Sequence, residues 1–203
     1  MTTSIATVSR RARFVFLVPL LSLLLAGCGF NDIPTYEEQA KAKWAEVLNQ
    51  YQRRSDLIPN LVETVKGFAK QESSVLEAVT AARAQATAIS VNASTITDPE
   101  TFKKFQEAQA QLSGSLGRLL AISESYPSLK SNQNFLALQS QLEGTENRIA
   151  VTRRDYIEAV RIYNTELRTF PGRIWAAIFY TSNKPMEVFT VDNSVKQPPQ
   201  VKF

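Results

Sequence analysis

The chain has 203 residues, of which 44% are hydrophobic and 21% charged, and its formal net charge is +4. This length suits one domain plus a targeting segment, and the composition is too apolar for a disordered chain. The sequence has no histidine and one cysteine, which excludes an intramolecular disulfide, a Cys/His zinc site and a histidine-based catalytic triad.

The basic residues are unevenly distributed along the chain. Arg10, Arg11 and Arg13 precede Cys28 and no acidic residue does, so the rest of the chain carries 20 basic against 19 acidic residues. Nucleic-acid binding without sequence preference depends on many phosphate contacts from Lys and Arg. We therefore expect no nucleic-acid partner.

Residues 1–27 resemble a bacterial signal peptide, because the three arginines are followed by an apolar run at 14–25 and then by small residues. A helix that spans a bilayer takes about 20 apolar residues, so cleavage is favoured over an uncleaved membrane anchor. Leu25-Ala26-Gly27-Cys28 resembles the lipobox of bacterial lipoproteins. The resemblance implies a diacylglyceryl thioether on Cys28, cleavage before it and a further acyl chain on the new amino terminus, which together make a stable anchor.

The lipobox predicts a protein held at a membrane by lipid on its periplasmic face. Residues 28–35 are expected to form a short tether, since they include Asn31, Asp32 and Pro34. Gly29 follows the cysteine, in place of the aspartate linked to inner-membrane retention in enteric bacteria, which favours the outer membrane.

Heptad-spaced apolar residues predict long helices between residues 36 and 182. In the first, over about 35–57, Trp44, Tyr51 and Ile58 recur every seven residues. Pro59 is expected either to kink the chain or to lie in the first turn of the next helix. The second helix, ending near residue 90, has its stripe at Leu61, Phe68, Val75, Ala82 and Ile89.

Asp98-Pro99-Glu100 supplies a cap, a first-turn proline and an early acid, which together are typical of a helix start. The stripe of this third helix, which Pro127 would close, is Phe105, Leu112, Leu119 and Tyr126. The fourth helix has the longest stripe, at Phe135, Leu142, Ile149, Tyr156, Tyr163 and Phe170. Stripes of this length favour near-parallel packing, so the predicted fold is all-α, an antiparallel four-helix bundle followed by an irregular tail at 183–203. An extended coiled-coil oligomer is the alternative.

The segment Arg53–Ala69, with sequence RRSDLIPNLVETVKGFA, resembles the LemA family of bacterial membrane-linked helical proteins. Further matches, at residues 72–83 and at Tyr163-Asn164 with Phe170-Pro171, extend the resemblance over roughly residues 36–189. It implies an antiparallel four-helix fold and an extracytoplasmic position, but the family has no settled biochemical activity.

The chain departs from the family pattern in several places. A lipobox replaces the N-terminal transmembrane helix of many members, Gln71 stands where many have histidine, and Tyr180-Thr181 replaces a common Gly-Phe. The segment from Asp192 onward looks unrelated. A histidine-dependent activity is therefore not expected.

Two groups of residues are candidate interaction surfaces. Arg53, Arg54, Asp56 and Asn60 could bind a protein partner, since paired guanidinium groups bind carboxylates bidentately, although helix capping and backbone geometry around Pro59 explain the same residues. Aromatic and apolar residues beyond the fourth helix could lie in a membrane interface, or could fold back over the open end of the bundle, which we favour. These are Arg173, Ile174, Trp175, Phe179 and Tyr180.

The sequence predicts no cofactor other than the lipid on Cys28, no metal and no enzymatic activity. We expect an interaction or scaffold module with a protein partner in the bacterial envelope. The alternatives are a hydrolase that uses carboxylates, alone or with Mg²⁺ or Ca²⁺, and an envelope signalling or regulatory protein. The carboxylates available are Glu63, Glu72, Glu77, Glu143, Glu146, Asp155 and Glu158, although a solvated face making weak ion pairs is the simpler interpretation.

Overall fold

A computed structural model describes residues 29–190. Every regular element in that range is helical and none is a strand, which confirms the all-α class. The helices are α1 (Asp32–Phe68), α2 (Ser73–Ala88), α3 (Pro99–Ile122), α4 (Pro127–Lys130), α5 (Gln133–Glu166) and α6 (Gly172–Ile178), with 3₁₀ turns at Thr95–Thr97 and Ser123–Ser125. The predicted signal peptide, Cys28 and residues 191–203 lie outside the described residues.

Helix α1 continues through Pro59, so the second of the two expectations, that Pro59 lies in the first turn of a new helix, was wrong. A proline inside a helix cannot donate the hydrogen bond that the carbonyl four residues earlier requires. Here that carbonyl belongs to Ser55, and the Nε of Arg83 donates to it at 2.9 Å. A side chain from α2 thus supplies the bond that Pro59 lacks, and the helix runs on to Phe68.

The joint between the first two helices lies instead at residues 69–72. The stripe predicted for the second helix crosses this joint. Because the chain is not helical there, the seven-residue spacing of buried positions in α1 does not continue into α2. Leu61 and Ala82 are buried, as expected, but Phe68 is 40% exposed.

The other predicted starts and stripes are largely confirmed. The Asp98 side chain accepts hydrogen bonds from the backbone amides of Glu100 and Thr101, and α3 begins at Pro99. Pro127 begins the short helix α4 after a 3₁₀ turn. Along α5 the stripe from Phe135 to Tyr163 is buried; it fails at Phe170, 83% exposed, because α5 ends at Glu166.

Helices α1 and α5 pack side by side and run in opposite directions. Trp44 of α1 lies against Tyr156 of α5, with ring centroids 5.3 Å apart, and Arg54 lies 3.0 Å from Glu146. Moving ten residues toward the C-terminus along α1 thus corresponds to moving ten residues toward the N-terminus along α5. Helix α2 packs against α3 and against α1.

The buried side chains form two clusters. The first, toward the start of α1, is aromatic and includes Trp44, Tyr51, Phe102, Phe105, Tyr156 and Tyr163. The second, toward the end of α1, is mainly aliphatic and includes Ile58, Leu61, Val65, Leu112, Leu119 and Leu142. Several buried residues at the level where the two clusters meet are polar. They include Arg54, Ser55, Gln109 and Thr145.

Residues 183–190, which we call the strap, have no regular structure but pack onto α5. Met186 and Phe189 are 4% and 7% exposed and belong to the aromatic cluster. The Tyr156 hydroxyl donates to the carbonyl of Glu187 at 2.7 Å. The strap begins where the sequence predicted the tail, and two of its side chains complete the core.

Candidate functional site

Three of the four predicted partner-binding residues lie on one exposed face of α1. Arg53, Asp56 and Asn60 are exposed, and their spacing of three and then four residues places them on the same side of a helix. The Asp56 carboxylate accepts a hydrogen bond from Gln52 at 2.7 Å. This face presents a cation, an anion and an amide to solvent.

Arg54 differs from the expectation, because its side chain is only 1% exposed. Its Nη1 donates to the Ser113 hydroxyl at 2.8 Å and to the Glu146 carboxylate at 3.0 Å. Its Nη2 donates to the side-chain oxygen of Gln109 and, at 3.4 Å, to the Gln109 carbonyl. A guanidinium held in this way joins α1, α3 and α5 and is not available to a partner.

The surroundings of Arg54 explain how a charge is accommodated inside the fold. Glu146 is 41% exposed, so the ion pair opens to solvent at one side. The Arg54 guanidinium also lies 4.9 Å from the centre of the Tyr51 ring, within the range of a cation–π contact. Burial raises the pKa of the Tyr51 phenol.

The predicted membrane-interface residues lie beyond α5, beside the start of α1. There Phe30, Trp175, Phe179 and Tyr180 form a layer that we call the aromatic cap. The Phe30 ring lies 5.6, 5.4 and 5.7 Å from the rings of Trp175, Phe179 and Tyr180. The Tyr180 hydroxyl donates to the Phe30 carbonyl at 3.1 Å.

Helix α6 has a packed side and an exposed side. Trp175 and Tyr180 are half-buried against the aromatic cluster. Arg173, Ile174 and Phe179 are exposed. The segment therefore covers one end of the core, as the favoured interpretation expected, and also presents apolar side chains to solvent, which the membrane interpretation requires.

Two glycines let the chain approach itself closely at this end. A Cβ added to Gly172 would lie 2.8 Å from the carboxyl carbon of Glu166 and closer to two of its oxygen atoms. Gly29 has φ +88°, a backbone conformation that favours glycine, and a Cβ there would lie 3.1 Å from Pro171. Gly29 thus allows the start of α1 to approach the turn before α6, and Gly172 allows the start of α6 to approach the end of α5.

Phe30 is the residue of this site that the sequence did not reveal, since we expected 28–35 to be a tether. The signal available in the sequence was two large apolar side chains, Phe30 and Ile33, within the short segment 28–35. The fold begins earlier than expected: Ile33 is 0% exposed, and α1 begins at Asp32.

Three of the acidic residues of the alternative hydrolase interpretation make ion pairs. Glu63 pairs with Lys66, Glu158 with Arg161 and Glu146 with Arg54. Within residues 29–190, no three acidic side chains converge in a way that could hold a metal ion. The pairs of Glu63 and Glu158 are exposed, and pairs of this kind contribute little to stability.

A model of the LemA family matches residues 43–203, so the expectation that the segment from Asp192 onward is unrelated to the family was wrong. The chain belongs to the LemA family. It is similar to magnetosome proteins MamQ 2 and MamQ 1 of Paramagnetospirillum magneticum and to magnetosome protein MamQ of Magnetospirillum gryphiswaldense. Each is 27% identical over 176 residues, covering 79% of this chain and 64% of the relative, so this chain spans less than two thirds of their length.

Two of the segments that carry the LemA resemblance meet in the structure. Pro59 and Arg83, one from each, are linked through the Ser55 carbonyl. Asn164, from the third, holds the strap: its side chain donates to the Met186 carbonyl and accepts from the Met186 amide, both at 2.9 Å. These motif residues fix helix continuity and chain packing in the LemA fold.

Among residues 29–190, the helices lack a stretch both long and apolar enough to cross a bilayer. The LemA fold in this chain is a body of amphipathic helices, whose buried faces point to one another.

Proposed function

We propose that this LemA-family protein is a lipid-anchored interaction module of the bacterial envelope, without catalytic activity. Cys28 carries the lipid, the signal peptide is removed, and the four long helices form one antiparallel bundle on the periplasmic face, at the outer membrane. The observation that carries the proposal is the position of Gly29 and Phe30. These residues directly follow the lipobox cysteine and are packed into the end of the fold, so a lipid on Cys28 would hold the body close to the bilayer.

The exposed α1 face formed by Arg53, Asp56 and Asn60 is the proposed surface for an envelope protein partner. It lies more than 20 residues along α1 from the packed end, which corresponds to about 30 Å at the rise of an α-helix. A partner bound there would be held away from the bilayer surface. The bundle would then act as a rigid spacer between anchor and partner.

Mass spectrometry of the mature amino terminus tests the anchor. We expect the first residue to be Cys28 carrying three acyl chains, and we expect the Cys28→Ser variant to remain unprocessed and unacylated. A native protein that keeps residues 1–27 and has a free thiol would rule out the lipid anchor.

Site-specific crosslinking in intact cells tests the partner surface. A photoreactive residue at Asn60 should give one discrete crosslinked protein, and the charge reversal Arg53→Glu should reduce its yield several-fold. The matched control is the same photoreactive residue at Asn147, an exposed position of α5. Equal crosslinking at both positions would show that the α1 face is not a specific surface.

A further inference from the structure

Exposed apolar side chains are concentrated at one end of the molecule. Seven large hydrophobic residues are exposed among those described, and four of them fall within ten positions of the sequence. We call these four, Phe170, Ile174, Ile178 and Phe179, the exposed α6 face; they are 83%, 44%, 61% and 59% exposed. Exposed apolar side chains concentrated in one segment are a common sign of an interaction surface.

The exposed α6 face is supported from beneath by packed residues. Phe179 lies 6.0 Å from Trp175, ring to ring, and both touch Phe30. Tyr180 is tied to the Phe30 carbonyl by its hydroxyl. The close approach of Gly172 to Glu166 fixes the start of α6. The face is therefore presented by a rigid layer, which lowers the entropy lost on binding.

Cations border the same face. Arg168 and Arg173 are exposed on either side of Phe170, and Lys184 is exposed at the start of the strap. An apolar surface bordered by Lys and Arg fits the boundary between acyl chains and anionic headgroups, where such residues bind phosphate while the apolar groups insert.

The short distance along the chain between the aromatic cap and Cys28 identifies what the exposed α6 face binds. Phe30, in the middle of the aromatic cap, follows the lipobox cysteine by two residues and the apolar run at 14–25 by five. Whatever ties Cys28 to a bilayer therefore brings the exposed α6 face to the same bilayer. A partner protein would have to compete with lipid at that position.

We propose that the exposed α6 face inserts into the surface of an anionic phospholipid bilayer and forms a second membrane contact beside the anchor. This second contact extends the function proposed above and rests on it, because the lipid on Cys28 holds the exposed α6 face at the bilayer. Phe170, Ile174, Ile178 and Phe179 enter the boundary between headgroups and acyl chains. Arg168 and Arg173 bind lipid phosphates, and α6 lies in the plane of the membrane.

Trp175 reports this insertion directly. The full-length native protein is purified from membranes and reconstituted into vesicles of phosphatidylethanolamine and phosphatidylglycerol with brominated acyl chains, which quench nearby tryptophans. The other tryptophan, Trp44, is 2% exposed and lies twelve residues inside α1, so it serves as the unquenched reference. We expect the brominated lipids to quench the fluorescence of Trp175. In the Trp175→Phe variant only the unquenched fluorescence of Trp44 should remain.

Trp175→Phe is expected to fold normally, because the indole nitrogen is buried and has no hydrogen-bond partner among the described residues. The double variant Phe170→Ser/Ile178→Ser removes exposed groups that make none of the aromatic contacts of the cap. It should at least halve the quenched component. The matched control is Leu136→Ser/Val151→Ser, which removes two exposed apolar groups of α5, 47% and 46% exposed, and should change nothing.

Several results would overturn the insertion. One is an acylated protein whose Trp175 emission is unaffected by brominated lipid. Another is equal loss of quenching in both double variants. A third is concentration-dependent dimerisation that disappears with Phe170→Ser/Ile178→Ser, since the face would then bind a second copy. Quenching of Trp175 in a vesicle-bound protein with unacylated Cys28 supports the insertion and refutes the lipid anchor, so the two proposals fail separately.

Discussion

Pro59 shows how a single residue can be locally unfavourable and still suit the fold. The sequence around it predicts a helix boundary, because proline removes a backbone donor and crowds the preceding turn. The Ser55 carbonyl left without a partner is buried beneath α2, where Arg83 reaches it. A bond to a residue 28 positions away is invisible to local pattern, so the sequence placed the joint wrongly.

A double-mutant cycle tests this compensation. Arg83→Met keeps the apolar stem of the side chain but leaves the Ser55 carbonyl unpaired, and it should lower the free energy of unfolding by about 1–3 kcal/mol. In a Pro59→Ala background the new amide at position 59 can donate to Ser55, so the same change should cost clearly less. Urea denaturation measures both values. Equal costs in the two backgrounds would show that Arg83 does not compensate for Pro59.

Arg54 and Arg53 are adjacent in sequence and opposite in environment, which provides a matched pair. Arg54→Met leaves the side chain of Gln109, 8% exposed, without its donor, and should destabilise the fold by about 1–3 kcal/mol, as when a buried polar group loses its hydrogen-bond partner. Arg53→Met removes an exposed side chain and should change the stability by less than about 0.5 kcal/mol. Chemical denaturation of both variants decides the matter. Similar small effects would mean that the Arg54 network adds little to stability.

At the scale of the elements, the seven-residue stripes show what the sequence could predict. The α5 stripe was predictable because this long helix has no interruption and keeps one face toward the core throughout. The stripe assigned to the second helix spanned the joint at 69–72, so only part of it is buried. Periodicity locates a face within one helix, but it does not show where two consecutive helices separate.

The packing of the strap into the core could not be predicted, because its buried residues do not recur at a regular spacing in the sequence. Met186 and Phe189 are held by bonds from α5 side chains to strap backbone, and no repeat in the sequence marks such bonds. Phe189 also receives the Arg153 guanidinium, 4.3 Å from its ring centre. The sequence predicted the irregular conformation of 183–190 and missed its packing.

Asn164 is the residue whose removal should loosen the strap most selectively. Asn164→Ala loses both hydrogen bonds to Met186, so amide hydrogen exchange at Met186 should become at least tenfold faster, while exchange in the middle of α5 stays unchanged. Asn147→Ala, at an exposed position of the same helix, is the control. Unchanged exchange at Met186 would show that the aromatic contacts of Phe189 hold the strap without Asn164.

At the scale of the whole molecule, the two ends of the bundle differ in composition and in neighbours. The end near Phe30 contains the aromatic cluster, the strap and the exposed α6 face. The opposite end contains the aliphatic cluster and the short helix α4, where Leu129 is 0% exposed and belongs to that cluster. The sequence predicted the helical class and the aromatic segment after α5, but not that Phe30 packs into this segment, because residues 28–35 were expected to form a tether.

This difference between the two ends predicts how the molecule is oriented on a membrane. If the exposed α6 face contacts the bilayer, α1 points away from it, and 37 residues at the rise of an α-helix extend about 55 Å. Ser128 on α4 would then lie far from the membrane and Ser182 close to it; both are exposed serines. Because the chain's only native cysteine is the proposed lipid site, Ser128→Cys and Ser182→Cys can each be labelled with a donor fluorophore. Energy transfer to acceptor lipids should be strong from position 182 and at least several-fold weaker from 128, whereas a bundle lying flat on the surface would give similar transfer from both.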